Sequence, residues 1–435
     1  MTKLQASLTQ LQATIEIFHN GAWRPAAVFT PSARYLARGY KGSGSIDYDF
    51  DYAYESTAEE PLPNIAFNYP VSFGSYDKPN WPAFLLDMIP TGAGRRVWLR
   101  RMGRTEGPET DWALLLQGSG NPPGNLRIAE AALAPVPPHP GFSRDEIVEK
   151  NADFMEYAES RGAVMAGATD VQGDSPKYLL SRDYNGRWHP DGSLPDAQVI
   201  DSWLVKFPRG KKERDRTVLR NEAPYLEVAR RFGLKVGRPL EFCDDSLFVP
   251  RFDRVSIPGG LERHGLETVC SAAEIAEFGR QGDHLVFCTA IAASSTSAAA
   301  DVIEYVRRDI LNAALRNTDN HGRNTAFLKC RGAATLSPVY DFAPMFLDPA
   351  GIPRASRWPE GLEPNIGRPD WAKVEEALAG MCDRLVLRDT FARDAEAVQR
   401  LPDLMKECGV EDEAINGAAR RCEEIADDLH EAGRR

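Results

Sequence analysis

An α+β fold in two lobes, a sheet-rich half leading into a mainly helical one, follows from three observations. Short alternating apolar runs with Gly and Asn turns dominate up to about residue 255. From about Glu262 the apolar residues recur at helical spacing, as on helices with one buried face. Between an N-terminal module and these lobes lies Ala134 to Ser143, whose four prolines make a stiff, extended linker. The chain has 435 residues, too many for one small domain. The expected units are 1–133, an N-terminal α+β subdomain; 134–143, the linker; 144–255, a nucleotide-binding lobe; and 256–435, a helical catalytic lobe.

Hydrophobic residues make up 43% and charged residues 26%, an ordinary globular balance. No apolar run reaches membrane-span length, and the N-terminal residues carry no signal-peptide core, so no membrane association is expected. Seven cysteines are scattered singly with no Cys-x-x-Cys. That pattern predicts buried thiols in a reducing cytoplasm. A net charge of −11 argues against a large nucleic-acid surface.

In the N-terminal module, Asn20-Gly21 between two alternating pieces predicts a hairpin. Alternation at Ile46, Tyr48, Phe50 and Tyr52 predicts a further strand. Pro90 to Gly94 reads as a helix–helix turn before a basic amphipathic helix. Arg95, Arg96, Arg100, Arg101 and Arg104 are expected on a solvated or interface face, with nucleic-acid contact as a second reading. Ser143 with Glu146 is a capping box opening a helix to about Arg161.

Ala163 to Leu180 is a small-residue loop followed by Lys177 and an apolar strand. Such a loop wraps phosphates with backbone N–H groups; a plain hairpin turn at Gln172-Gly173-Asp174 is the other reading. Ser202 to Pro208 is a strand with one lysine, Lys206, which suits a nucleotide phosphate or guards a sheet edge. Asn221 reads as the N-cap of the next helix and Gly233 as its C-cap. Glu222 would then sit at the helix N-terminus, as a partner for Lys206 or simply beside the helix dipole. Leu247 to Arg254, with Phe252, lies where an adenine-binding hinge belongs.

Ala298 to Leu315 places Val302, Ile303, Val306, Ile310 and Ala314 on one face, a core helix delivering the chain to Asn317-Thr318-Asp319-Asn320-His321-Gly322-Arg323-Asn324. Asp319 and Asn324 have the spacing of a protein-kinase catalytic loop, in which the Asp meets the substrate hydroxyl and the Asn holds Mg²⁺. An Asx-rich turn ending the helix explains the same residues. A strand, a turn at Arg331-Gly332 and then Asp341-Phe342-Ala343 follow, the last where a kinase carries its metal-binding Asp. Loop, lysine strand, glutamate helix, hinge, catalytic loop and metal Asp come in the order that a bilobal protein-kinase-like fold requires.

With these pieces together, the chain resembles the HipA family of type II toxin–antitoxin serine/threonine kinases. The best-matched stretches are Trp203 to Pro208, Asn221-Glu222, Arg251 to Arg254, Asn317 to Asn324 and Pro338 to Asp341. Phe84 to Gly92 and Asp111 to Leu115 extend the likeness into the N-terminal module. The resemblance implies Asp319 as catalytic base and Asn324 and Asp341 as Mg²⁺ ligands. It puts Gly167, Ala168, Lys177, Lys206, Phe252 and His321 around ATP. It further implies a protein substrate in the translation machinery, such as an aminoacyl-tRNA synthetase, and growth arrest. The implied partner is a helix-turn-helix, HipB-like antitoxin, through which alone DNA is contacted. Such kinases modify a serine just before Ala-Gly-Ala, whereas Ala163-Val164-Met165 has no hydroxyl, so Ser175 or Thr169 is the expected autophosphorylation site. A small-molecule kinase on the same fold and a non-catalytic corepressor of a DNA-binding antitoxin are the competing functions.

Overall fold

A computed structural model describes residues 11–57, 62–132, 138–150, 152–161, 164–165 and 176–434. The chain divides into two compact units. The first gathers Met1–Phe207, Phe248–Phe278 and Leu328–Gly332; the second gathers Pro208–Leu247, Gly279–Phe327 and Ala333–Arg435.

In the first unit, β1 (Ala13–His19) and β2 (Ala22–Pro31) pair antiparallel around Asn20-Gly21. Both turn residues have positive φ, at 51° and 80°, the twist-matched hairpin geometry that Asn-Gly favours. With β3 (Gly44–Tyr48), β4 (Tyr76–Lys78) and β5 (Leu126–Ile128) they form a sheet ordered β4-β3-β2-β1-β5. Ile15, Ile17, Phe29 and Ile46 bury its inner face against Trp81, Trp112 and Leu115. The alternation does not continue past Tyr48. Asp49 caps a helix, Phe50–Glu55, by accepting from the Tyr52 N–H, and a capping side chain outweighs a two-residue period over so short a stretch.

The basic helix runs over Gly92–Met102, entered from the turn at Pro90. Its arginines are not all a solvated face. Arg95 is largely buried and bonds Asp111 at 2.8 Å, and Arg101 lies 4.5 Å over the Trp98 ring while donating to the Glu159 carbonyl. Gly39 is required opposite Asp111: its φ is +56°, and a Cβ there would meet the carboxylate. Ser143 and Glu146 form the expected capping box. The helix that follows breaks in two, Arg144–Val148 and Ala152–Ser160, with Lys150 at φ 54° between them.

A second sheet carries β6 (Val164–Met165) and β8 (Trp188–Pro190) on one edge of β7 (Lys177–Asp183), with β9 (Val199–Lys206) on the other. Tyr178, Leu180, Trp203, Val205 and Phe207 build its core with Phe142 and Phe154.

The second unit is mainly helical. Its first helix spans Glu213–Phe232, so Asn221 and Glu222 lie in its middle and Asn221 is no N-cap. Acidic Glu213 and Asp215 start the helix earlier, which suits the helix dipole. Within it, Asn221 Nδ2 donates to the Thr217 carbonyl, and its Oδ1 accepts from the Glu411 N–H. Gly233 ends the helix at φ 93°, as expected for a C-cap. Ala298–Ala314 buries Val302, Val306, Ile310 and Ala314. Arg384–Gln399 and Asp412–Arg434 pack on each other along Leu387, Phe391, Ile425 and Leu429. Among the described residues no helix is long and apolar enough to cross a membrane, and all seven cysteines are free thiols.

Candidate active site

The core helix Ala298–Ala314 ends when Arg316 turns left-handed at φ 57°. Asn317 then bonds back to Asn312 through backbone and side chain. The loop beyond is held from the other side by Arg354 to Arg357. Ala355 N–H donates to the Thr318 carbonyl at 2.9 Å. Asn320 acts as a substitute strand edge: its Oδ1 accepts from the Ala355 and Ser356 N–H groups, and its Nδ2 donates to the Ser356 carbonyl. These bonds anchor the backbone between Asp319 and His321.

A single turn, Gly322–Asn324, closes the loop. Asn324 Nδ2 donates to the Asp319 carbonyl at 2.9 Å. That leaves Oδ1, the one atom of the amide able to bind a cation. The Asp319 carboxylate is 3.6 Å from His321 Nε2.

Asp341 has φ 54°, unusual for a residue with a side chain. Such strain persists where neighbours over-determine it, and here they do. Val339 donates to the Lys235 carbonyl, Tyr340 Oη donates to the Arg323 carbonyl, and Phe342 is buried against Tyr225 at 5.5 Å. Asn320, His321, Asn324 and Asp341 line one open cleft within the second unit, with His284 and Asp309 also in its lining; Asp319 is not among the lining residues.

Beneath the loop lies a buried ionic network with no counterpart in the sequence reading. Asp309 accepts two 2.8 Å bonds from Arg354 and one of 2.8 Å from the Trp358 indole N–H, and it lies 3.2 Å from His284 Nε2. His284 Nδ1 is 2.7 Å from the Tyr305 hydroxyl. Glu363 takes the Trp358 and Gly367 N–H groups and pairs with Arg354 at 3.3 Å. Burial alone would raise the Asp309 carboxyl, but Arg354 and His284 outweigh it and hold it well below the usual carboxylate range. One signal for Asp309 existed: a charge among Val302, Val306 and Ile310 on a core-facing helix. Arg354 and Glu363 lie in loop segments with no periodicity to betray them.

The remaining candidates belong to the first unit. Lys177 and Lys206 are direct cross-strand partners on β7 and β9, and both are buried. Phe252 is half-buried in a bend between Arg251 and Asp253. Gly167, Ala168, Thr169 and Ser175, like the alternative turn at Gln172-Gly173-Asp174, lie outside the described residues.

Comparison with known proteins bears on the whole arrangement. The family model described as a HipA-like C-terminal domain matches residues 169–427. A protein of Sinorhizobium fredii named "Putative kinase Y4dM" is 22% identical over 319 residues, covering 68% of this chain and 71% of that one. Among solved structures, HipA from the Shewanella oneidensis MR-1 complex of HipA, HipB and operator DNA aligns over 96% of this chain and 97% of its own, with a TM-score of 0.66 at 15% identity. The fold is therefore the α+β, kinase-like one expected from the sequence, and the chain belongs to the family of proteins with a HipA-like C-terminal domain.

Proposed function

We propose that this chain is a Mg²⁺–ATP-dependent serine/threonine protein kinase, the toxin of a toxin–antitoxin pair. The observation that carries the reading is the shared cleft of Asn320, His321, Asn324 and Asp341 on a loop locked from below. Its oxygen donors, Asn324 Oδ1 and the Asp341 carboxylate, suit a hard cation such as Mg²⁺. When bound, Mg²⁺ neutralises charge on the phosphates of ATP. Asp319 orients the acceptor hydroxyl and takes its proton, a role that requires a carboxylate of fixed direction. His321 lies beside the nucleotide, and Phe252 packs on the adenine. Lys177, Lys206 and the backbone N–H groups of Gly167 and Ala168 hold its phosphates. Lys177 and Lys206 are cross-strand partners on β7 and β9, which places two cationic side chains together, an arrangement suited to a polyanionic ligand.

The kinase name of the Sinorhizobium relative supports phosphoryl transfer. The HipB and operator DNA in the Shewanella complex support a helix-turn-helix antitoxin partner, with DNA reached through it. The substrate we propose is a translation component such as an aminoacyl-tRNA synthetase. Autophosphorylation falls on Ser175 or Thr169, where two added negative charges would repel the nucleotide. The test is incubation of the purified chain with labelled ATP, Mg²⁺ and cell lysate, with the Asp319→Asn chain as control. Label on one protein's serine or threonine, absent with the control, is the expected result. Label confined to small molecules would replace the protein substrate with a metabolite.

A further inference from the structure

Away from the cleft, three side chains of different chemistry converge in the first unit. Glu262 lies on the strand Gly260–Arg263, paired antiparallel with Arg254–Ile257. The pairing continues one residue further, because the His264 N–H donates to the Asp253 carbonyl at 2.9 Å. Glu262 and His264 are therefore two apart on extended backbone and project to the same face. Cys330 comes from far along the chain, at the end of the strand Ala326–Cys330, which pairs with Gly265–Thr268. Gly265 permits the close approach, since a Cβ there would sit 3.0 Å from the Lys329 Cβ.

The distances are those of a coordination shell. Glu262 Oε2 is 3.5 Å and Cys330 Sγ 3.4 Å from His264 Nε2. All three ligand atoms lie within 4.8 Å of one another. Tetrahedral Zn²⁺, with bonds of ~2.0–2.1 Å to N or O and ~2.3 Å to S, puts N and O about 3.3 Å and N and S about 3.6 Å apart. The His264 ring has no other anchor: its Nδ1 is buried without a hydrogen-bond partner. The competing contact on Glu262 is Arg331, at 3.3–3.4 Å with its side chain 78% exposed. Such a pair is worth little in water and yields readily.

We propose that Glu262, His264 and Cys330 form a three-ligand zinc site, with solvent in the fourth position. The ion ties the strand bearing Glu262 to the distant strand bearing Cys330 and stabilises the first unit, as structural metals do. A thiolate, an imidazole and a carboxylate select a borderline ion over Mg²⁺, which prefers oxygen alone. The site is independent of the proposed kinase chemistry.

The test uses the full-length, untagged chain, stripped with chelator under reducing conditions and titrated with Co²⁺ alone, then Zn²⁺ alone. One equivalent of Co²⁺ should develop a thiolate-to-cobalt charge-transfer band, which one equivalent of Zn²⁺ bleaches. Zn²⁺ should raise the thermal midpoint of the wild type. Cys330→Ser and His264→Gln, each shown folded by circular dichroism, should lose the band, and Zn²⁺ should not shift their midpoints. Arg331→Ala should keep it. No stoichiometric band in the wild type, or an unchanged band in Cys330→Ser, overturns the site. Should Cys330→Ser fail to fold, His264→Gln decides alone.

Discussion

Each unit buries aspartate against arginine, and in the second unit the network reaches a cleft that Asp309 and His284 help to line. In the first unit, Arg251 spans Asp191 and Asp253, and Arg254 bonds Asp253 at 2.9 Å. The Gly124 N–H donates to the same Asp253 oxygen, Oδ2, and the Ser181 hydroxyl donates to Asp191 Oδ1. Asn121 Nδ2 donates to Asp191 as well, and Arg254 reaches the Gly124 and Pro122 carbonyls. Arg251, Asp253 and Arg254 flank Phe252, so the charges brace the bend that carries it. In the second unit, Asp309, Arg354 and Glu363 hold Asn320, and Asn320 sits between Asp319 and His321. The same chemistry braces a bend in one place and, in the other, the loop that carries the proposed catalytic residues. What differs is the segment each network grips.

The largest effects should separate aiming from bracing. Asp319→Asn and Asp341→Asn should each lower phosphoryl transfer at least ~10²–10⁴-fold, the scale of lost proton transfer or charge stabilisation. Their thermal midpoints should stay near wild type. Activity within a few-fold of wild type for either would break the assignment of that residue to the chemistry.

Asp309→Asn and Asp253→Asn sharpen the contrast directly. Each leaves a buried arginine short of its counter-charge and should cost about 3–5 kcal/mol of stability. Only Asp309→Asn should also lower kcat per folded molecule, because Asn320 then loses its support. Equal activity per folded molecule in the two variants would show that the lower network does no aiming.

Acid should act on both networks alike. Burial would raise Asp191, Asp253 and Asp309, but neighbouring arginines, joined at Asp309 by His284, hold all three well below the usual carboxylate range. Depressed carboxyls contribute stability that is complete above the unfolded value of about 3.9 and is lost as pH falls through the folded values. Urea midpoints should therefore decline steadily below about pH 4. Asp253→Asn should flatten that decline, and an unchanged slope would count against the network's charge state. The smallest effect sets the scale for a purely local contact. Ser143→Ala, removing the cap on Arg144–Val148, should cost about 1 kcal/mol with no change in activity.

Short-range chemistry was legible in the sequence wherever a residue's role is decided by its near neighbours. Asn20-Gly21 and Arg331-Gly332 turn at positive φ, which Gly and Asn accept most readily. Ser143 with Glu146, Gly233, and the apolar stripe of Ala298–Ala314 likewise need only a few residues of context. The spacing of Asp319, Asn324 and Asp341 placed the loop for the same reason. Tertiary structure decided everything set by distant partners. Asn221 became a mid-helix link to Glu411 instead of a cap. Arg354 reached Asp309, 45 residues earlier, to brace Asn320. Pattern along a chain reports which face a side chain takes. Which charge it meets there depends on how remote segments close, and that is settled only when the core is packed.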